Sequence, residues 1–343
     1  MSGFVLAANN GELGGGEVML LALAEALRTL GHEVQVVAPR GGREGVAEAA
    51  RAAGFPATDL SSGRRQYASE LRAWRATNAA GILWCNGLVP AFATTGRGDR
   101  IVHLHQDPVG VNAMAARVAR RGAVVTLVPS ESMATSVPGA RVLWNWVEPV
   151  VTRPRPLEHT GQRWVGFLGR HSVDKGLVTL AAGLAELEQH EPGRYRLLLA
   201  GEGRFAPPED SAPIRKALAP VEHLVERPGW ISREDFFSSV DVAIFPSQWA
   251  EPFGLVAAEA MSARTPFVIS DAGALTEVAG PEHPWVTPKG DAVALAAAVE
   301  SVFDAGPDRM VEELDRGYQR WLEHFSPAAG LTRVSALLDE LGL

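Results

Sequence analysis

Four stretches of the chain carry side chains whose type and spacing suit chemistry as well as packing. In Glu251-Pro252-Phe253-Gly254-Leu255-Val256-Ala257-Ala258-Glu259, seven residues separate two carboxylates. Gly254 suits the opening of a helix. That places Glu251 just before the helix, the amides of Gly254 and Leu255 at its free end, and Glu259 in its second turn. Ionised carboxylates only accept hydrogen bonds, so this pair suits a polyhydroxyl ligand, one carboxylate for sugar hydroxyls and the other for a ribose diol. Glu259 also lies in an otherwise apolar run, Leu255–Ala263. A carboxylate on a buried helix needs a partner, so a structural salt bridge is the plain alternative.

The second stretch is Gly169-Arg170-His171-Ser172-Val173-Asp174-Lys175-Gly176, and Lys175 is one of only three lysines. An arginine and a lysine in one loop can both grip a diphosphate, one as a planar fork and the other as a compact charge. Such groups also stabilise charge that develops on a leaving phosphate. The alternative is a surface loop with two solvated cations. The third stretch, Gly11-Glu12-Leu13-Gly14-Gly15-Gly16-Glu17, follows a strand-like run and precedes a helical one. Its glycines permit a tight turn and a close approach of the backbone to a ligand, and free amides at a helix start favour an anion. It is neither a dinucleotide fingerprint nor a Walker loop, and a plain strand-to-helix turn explains it equally well.

The fourth stretch is His103-Leu104-His105-Gln106-Asp107, where strand alternation puts both histidines on one face. No cluster of Cys, His or Asp completes a metal site around them, and the Asp-x-Asp signature of a nucleotide-bound divalent ion is absent. No metal and no resident cofactor are therefore expected. One histidine facing a reacting sugar competes with a core imidazole bonded to backbone.

These stretches fall at the ends of apolar runs. Strands are expected at Phe4–Ala8, Glu33–Ala38, Gly81–Cys85, Ile101–His105 and Val124–Val128, with helical segments at Val18–Leu30, Gly45–Ala53 and Ala68–Asn78. The run Glu148–Pro156, with prolines at 149, 154 and 156, cannot sit in a helix or a central strand and reads as a linker. The same rhythm then restarts. Strands are expected at Trp164–Leu168, Tyr195–Ala200, Asp241–Phe245 and Phe267–Ser270, with helices at Leu177–Leu187, Ile214–Leu218 and Leu255–Ala263. Alternating strands and helices imply parallel sheets covered on both faces. The expected architecture is α/β, two doubly wound Rossmann-like domains facing across a cleft: residues 1–150, residues 151–320, and a terminal helix at 321–343 that crosses back to the first. In such sheets ligands bind beyond the carboxyl ends of the strands, so a cleft site is expected.

Composition narrows the function classes. The 343 residues are 46% hydrophobic and 21% charged, ordinary globular values. Apolar runs such as Val18–Ala24 and Ala292–Val299 are too short to span a membrane. The start lacks a signal-peptide pattern, and the single cysteine, Cys85, permits no internal disulfide, so a cytoplasmic protein is expected. The net charge of −8 argues against general nucleic-acid binding. Residues 1–150 hold 14 basic and 12 acidic residues, and every one of those cations is arginine. Arg64, Arg65, Arg72, Arg75 and Arg117, Arg120, Arg121 read first as solvated helix faces. Peripheral contact with a membrane surface or an anionic acceptor is the alternative.

In combination, the glycine-rich first loop, the Gly-Arg-(four residues)-Lys-Gly loop, the strand Leu197-Leu198-Leu199-Ala200-Gly201-Glu202-Gly203 and the Glu251…Glu259 motif resemble family 4 of the retaining glycosyltransferases, which have the GT-B fold. Weaker echoes are Val128-Pro129-Ser130-Glu131-Ser132, Val240-Asp241-Val242 with Pro246-Ser247, and Gly273-Ala274-Leu275-Thr276-Glu277. The resemblance runs through nearly the whole chain. It implies that Arg170 and Lys175, with Gly169, grip the diphosphate of a UDP- or GDP-type sugar donor. It implies that Glu259 holds the ribose, and that Glu251 with Phe253, Gly254 and Leu255 contacts the donor sugar. Gly14, Gly15 and Gly16 would close over phosphate and acceptor, His105 would lie near the anomeric carbon, and the backbone at Trp230 and Ile231 would read the base. The implied reaction moves a hexose to a hydroxyl acceptor with retention of configuration. A nucleotide-sugar epimerase and a non-catalytic sugar-binding relative are the competing functions. Trp144-Asn145-Trp146-Val147 departs from the Asn-Gly turn common near the family's linker, and the short first domain leaves the acceptor's identity open.

Overall fold

Short β-branched and aliphatic runs bounded by glycine and polar turns form buried parallel strands, and the Ala/Leu-rich stretches between them form the covering helices. A computed structural model describes residues 3–42, 45–153, 161–203 and 207–343. These form two compact units, one of residues 1–146 with 327–343 and the other of residues 147–326.

In order, the first unit contains β1 (Gly3–Ala8), α1 (Gly15–Thr29), β2 (Glu33–Pro39), α2 (Val46–Ala52), β3 (Ala57–Leu60), α3 (Arg64–Thr77) and β4 (Ile82–Asn86). It continues with α4 (Leu88–Ala93), β5 (Arg100–His103), α5 (Val111–Ala119), β6 (Val125–Val128), α6 (Glu131–Ser136) and β7 (Arg141–Val142). The seven strands are parallel, in the order β3-β2-β1-β4-β5-β6-β7. The order reverses between β1 and β4, so the crevice beyond the carboxyl ends of these two strands is the natural ligand position. The glycine-rich loop follows β1, and Asn86 ends β4.

The second unit contains β8 (Arg163–Leu168), α7 (Leu177–His190), β9 (Tyr195–Ala200), α8 (Ser211–Leu218), β10 (Val225–Gly229), α9 (Arg233–Ser239) and β11 (Val242–Phe245). After these come α10 (Leu255–Ser262), β12 (Phe267–Ser270), α11 (Leu275–Ala279), β13 (Val286–Thr287), α12 (Ala292–Asp304) and α13 (Pro307–Arg320). Its six parallel strands run β10-β9-β8-β11-β12-β13, with the reversal between β8 and β11. The Arg170/Lys175 loop follows β8 and the Ser247–Gly254 loop follows β11, so topology brings these two loops side by side. Val165, Leu197, Leu199, Val242 and Ile244 pack under Leu180, Leu184 and Leu295 as the core beneath them.

The structure changes several expectations. His105 lies beyond β5, which ends at His103. Four short strands (β3, β7, β10 and β13) carry no long apolar run and are not legible from periodicity. Of the linker prolines, Pro154 and Pro156 lie outside the described residues. The stretch before them runs along the second unit, where Val150 N donates to Ser262 Oγ at 2.9 Å and Thr152 Oγ1 to the Ala263 carbonyl at 3.2 Å. The expected single terminal helix from 321 is two pieces: a π-turn at Trp321–Phe325, then α14 (Pro327–Leu341). Extended Ser326 separates them, and Pro327 opens α14, where its missing amide costs no helical hydrogen bond. α14 packs on α1. Gly330 lies so close to the Trp146 ring that a Cβ would approach it to 2.3 Å, and the Arg333 guanidinium donates to the Trp144 carbonyl at 3.3 Å. The tryptophans that depart from the family's turn thus dock the terminal helix within the first unit.

The arginines also divide. Arg75, expected on a solvated face, is fully buried, and its guanidinium donates to the carbonyls of Asn78, Ala80 and Gly81 and to Asp99. Arg100 is likewise buried and donates to the carbonyls of Ala91, Arg97, Ala119 and Arg121. Each guanidinium thus gathers several backbone carbonyls from neighbouring loops and helix ends. Among the described residues no helix is long and apolar enough to cross a membrane.

Candidate functional site

In the second unit, Lys175 and Glu251 are 76 positions apart in sequence and meet directly. The Lys175 ammonium donates to Glu251 Oε1 at 2.5 Å, and the Ser247 hydroxyl donates to the same oxygen at 2.5 Å. Glu251 is 6% exposed, so two donors compensate its charge as burial requires. The Lys175 ammonium lies 5.6 Å from the centroid of the Trp249 ring, a cation–π distance. The two loops are also joined through backbone, since Gln248 N donates to the Asp174 carbonyl at 2.7 Å. Ser247 is itself held by Ser270, whose hydroxyl donates to the Ser247 carbonyl at 2.7 Å.

Arg170 leads elsewhere. Its guanidinium pairs with Asp174 at 2.6 Å, with both side chains about a third exposed, and the Ser172 hydroxyl donates to the same carboxylate. Arg170 and Lys175 share a loop, but each has its own carboxylate. Gly169 precedes them at the end of β8, where its amide donates to the Ala200 carbonyl at 3.2 Å.

Gly254 is the N-cap of α10 and has left-handed backbone (φ +92°, ψ 62°). Leu255 opens the helix, so its amide and that of Gly254 lack intrahelical acceptors and form a small positive end. Phe253 is buried and packs edge-on against Phe325, with ring centroids 5.4 Å apart. The loop's far side is closed by Gly273 and Ala274, whose amide donates to the Glu251 carbonyl at 2.9 Å. Glu259 is 8% exposed and accepts from Arg233 Nη1 at 3.1 Å. Burial raises its pKa, and the arginine only partly opposes that shift. The sequence offered a ligand role or a salt bridge for Glu259, and the salt bridge is present. Trp230 and Ile231 follow β10, and the Trp230 side chain is 78% exposed.

In the first unit the glycine loop and the histidine strand are joined by a residue the sequence reading passed over. Asn86 is buried at the end of β4. Its Nδ2 donates to the Gly16 carbonyl at 2.8 Å, and its Oδ1 stands 2.7 Å from His105 Nε2. Gly14 caps α1, and Gly15 and Gly16 form its first turn. Glu17, the third helical residue, folds back so that Oε1 accepts from the Asn10 amide at 3.1 Å and the Asn10 side chain at 3.0 Å. These bonds tie the first turn of α1 back to the loop that leaves β1. Burial raises the Glu17 pKa, partly offset by the Asn10 bonds. The His105 and His103 rings lie 4.0 Å apart. Burial pushes His105 down to about 4 and His103 well below the ordinary histidine value, with the neighbouring ring adding to the second shift. Both are neutral imidazoles at ordinary pH.

A cavity of about 330 Å³ in the second unit opens at a different place, between the end of α10, the loop after α11 and α13. Its lining includes Met261, Phe267, His283, Trp285 and Arg320 and none of the sequence-predicted site residues.

Residues 162–305 match the family model of glycosyl transferases group 1, and residues 13–138 match that of glycosyltransferase family 4. A glycogen synthase of Mycobacterium tuberculosis is 35% identical over 158 residues, 44% of this chain and 36% of that protein. An uncharacterized glycosyltransferase of Methanocaldococcus jannaschii is 31% identical over 151 residues, 42% of this chain and 37% of that protein. The matches thus span little more than a third of these relatives. In fold, the chain is similar to Anabaena HepE in complex with UDP-glucose, with a TM-score of 0.84 at 18% identity, covering 99% of this chain and all of that one.

Proposed function

We propose that this chain, which has the GT-B fold, is a family 4-type glycosyltransferase that moves a hexosyl group from a nucleoside-diphosphate donor to a hydroxyl acceptor with retention of anomeric configuration. The observation that carries this reading is the convergence of the Lys175 ammonium and the Ser247 hydroxyl on buried Glu251, directly before the N-terminus of α10. A cation, a carboxylate and free helix amides together suit a sugar diphosphate.

The bond that breaks joins the anomeric carbon to a β-phosphate oxygen, and the electron pair leaves with the diphosphate. Lys175, Arg170 and the amides of Gly254 and Leu255 stabilise that charge, so this reading assigns no role to a metal ion. The acceptor oxygen bonds to the anomeric carbon on the face the phosphate leaves, and its proton passes to the departing phosphate oxygen. Glu251 orients the donor sugar and takes no covalent part. Glu259, which pairs with Arg233, holds the ribose. In the first unit, His105 and the Gly14–Gly16 turn are assigned to the reacting sugar and the acceptor. The likeness to HepE bound to UDP-glucose makes UDP-glucose the first donor to test and GDP-sugars the second. A cytoplasmic setting agrees with the single buried cysteine.

The test has two parts. Nucleotide sugars are screened for stabilisation of the folded chain, since a ligand bound only to the native state raises Tm. The stabilising donor is then incubated with sugar, lipid and aglycone acceptors, following nucleotide release and reading the product's anomeric configuration by NMR. Turnover by the wild type that is lost in Lys175→Met supports the reading. A folded chain that no nucleotide sugar stabilises rejects it, and an inverted product rejects retention.

A further inference from the structure

The Asn86 amide sits between two fixed partners. Its Nδ2 faces the Gly16 carbonyl at 2.8 Å, and a carbonyl only accepts, so the nitrogen must lie on that side. The amide oxygen is therefore the atom 2.7 Å from His105 Nε2. An amide oxygen also only accepts, so Nε2 must carry the ring proton. His105 Nδ1 is then a bare lone pair. It is buried, with no hydrogen-bond partner among the described residues, and both ring nitrogens of neighbouring His103 are in the same condition. The chain of constraint runs from the backbone of the glycine-rich loop, through one buried side chain, to the imidazole.

We infer that Asn86 is a positioning residue that locks His105 in the Nε2–H tautomer and ties its ring to the glycine-rich loop, so that His105 meets its ligand only as a hydrogen-bond acceptor through Nδ1. The ligand part of this inference rests on the glycosyltransferase reading. There, the group His105 receives is a hydroxyl that donates its hydrogen, which makes the contact selective for a hydroxyl over an ether or carbonyl oxygen at that position. The neutral state of the ring agrees, because burial keeps it unprotonated above about pH 4. The tautomer part stands on geometry alone.

The experiment is the imidazole 15N spectrum of the full chain with labelled histidines, His105 being identified by the signals lost in His105→Gln. Wild type is expected to show His105 protonated at Nε2. Asn86→Ala removes the acceptor and is expected to give a tautomer mixture. Asn86→Asp keeps an oxygen facing Nε2 but loses the donor to Gly16, so it is expected to retain Nε2–H. The unchanged signal of His32, which packs against Phe4 in the same unit, reports that each variant is folded. With the donor and acceptor identified as above, Asn86→Ala is expected to lower kcat by on the order of 10²-fold, the cost of misplacing a group by about an ångström, with donor KM nearly unchanged. An Nδ1–H signal in wild type, or an unaltered tautomer in Asn86→Ala, overturns the inference. Because the spectrum needs no turnover, it decides the role of Asn86 even if the transferase reading fails.

Discussion

Replacing Gly176 with alanine tests how the second unit assembles its candidate site. Gly176 caps α7 with left-handed backbone (φ +81°, ψ 21°), immediately after Lys175. A Cβ on it would stand 1.8 Å from the Pro246 carbonyl oxygen, in the loop that carries Ser247 and Glu251. Two costs add. The left-handed conformation costs an alanine roughly 1–2 kcal/mol. The contact must also open to about 3.3 Å, an ordinary carbon–oxygen approach, and backbone on both sides resists. Overpacking of this kind costs roughly 1–3 kcal/mol more. Gly193 is the control, because its φ is +73° and a Cβ there meets nothing within 4 Å, so only the first cost applies. At roughly 2–4 °C per kcal/mol for a unit of this size, Gly176→Ala is expected to lower Tm by about 10 °C and Gly193→Ala by about 4 °C in scanning calorimetry. The two also differ in turnover. Gly176→Ala pushes apart the loops that bring Lys175 to Glu251, with an expected loss on the order of 10²-fold, and Gly193→Ala leaves turnover intact. Equal melting shifts for the two variants would refute the close approach of the loops, and full activity in Gly176→Ala would refute its functional weight.

Three further outcomes follow from the same geometry. Burial raises the Glu259 pKa above its unfolded value, so the folded chain holds this proton more tightly; the contribution is favourable below the unfolded pKa and is lost as pH rises through the folded one. Glu259→Gln should therefore raise Tm at neutral pH, flatten its pH dependence on the acid side and abolish stabilisation by the donor; a lower Tm would contradict the burial argument. Ser247→Ala removes one of the two donors to Glu251 and is expected to reduce kcat/KM for the donor by roughly ten- to hundredfold, as loss of a hydrogen bond to a charged group does, and unchanged kinetics would remove Ser247 from the site. Arg75→Met leaves the carbonyls of Asn78, Ala80 and Gly81 without their donor and should lower stability by about 3 kcal/mol or more in urea unfolding, whereas a surface arginine would cost almost nothing.

The strongest signals in the chain were those that depend on near neighbours. Largely apolar runs of four to seven residues bounded by Gly, Pro, Asn or Asp mark β1, β2, β8, β9, β11 and β12 because strands covered on both faces are mostly hydrophobic. Gly254 before Leu255 marks the start of α10, since a helix cap at positive φ suits glycine. The edge strands were invisible for the converse reason: β10 reads Val-Glu-Arg-Pro-Gly and is partly exposed, so no period distinguishes it from a loop. Arg75 was misread because helical spacing shows which residues share a face and not which carbonyls wait beneath it.

Residue types and their local spacing thus determined the α/β rhythm and singled out Lys175, Glu251, Glu259 and His105 as candidates, all properties set within a few residues of each position. Only the tertiary structure decided their partners. Lys175 meets Glu251 across 76 positions, Asn86 meets Gly16 across 70, and Arg233 reaches Glu259 across 26. The first two pairings exist because the strand order reverses between β8 and β11 and between β1 and β4, which sets distant loops side by side. A hydrogen bond forms or fails within a few tenths of an ångström, a precision that packing supplies and sequence spacing does not.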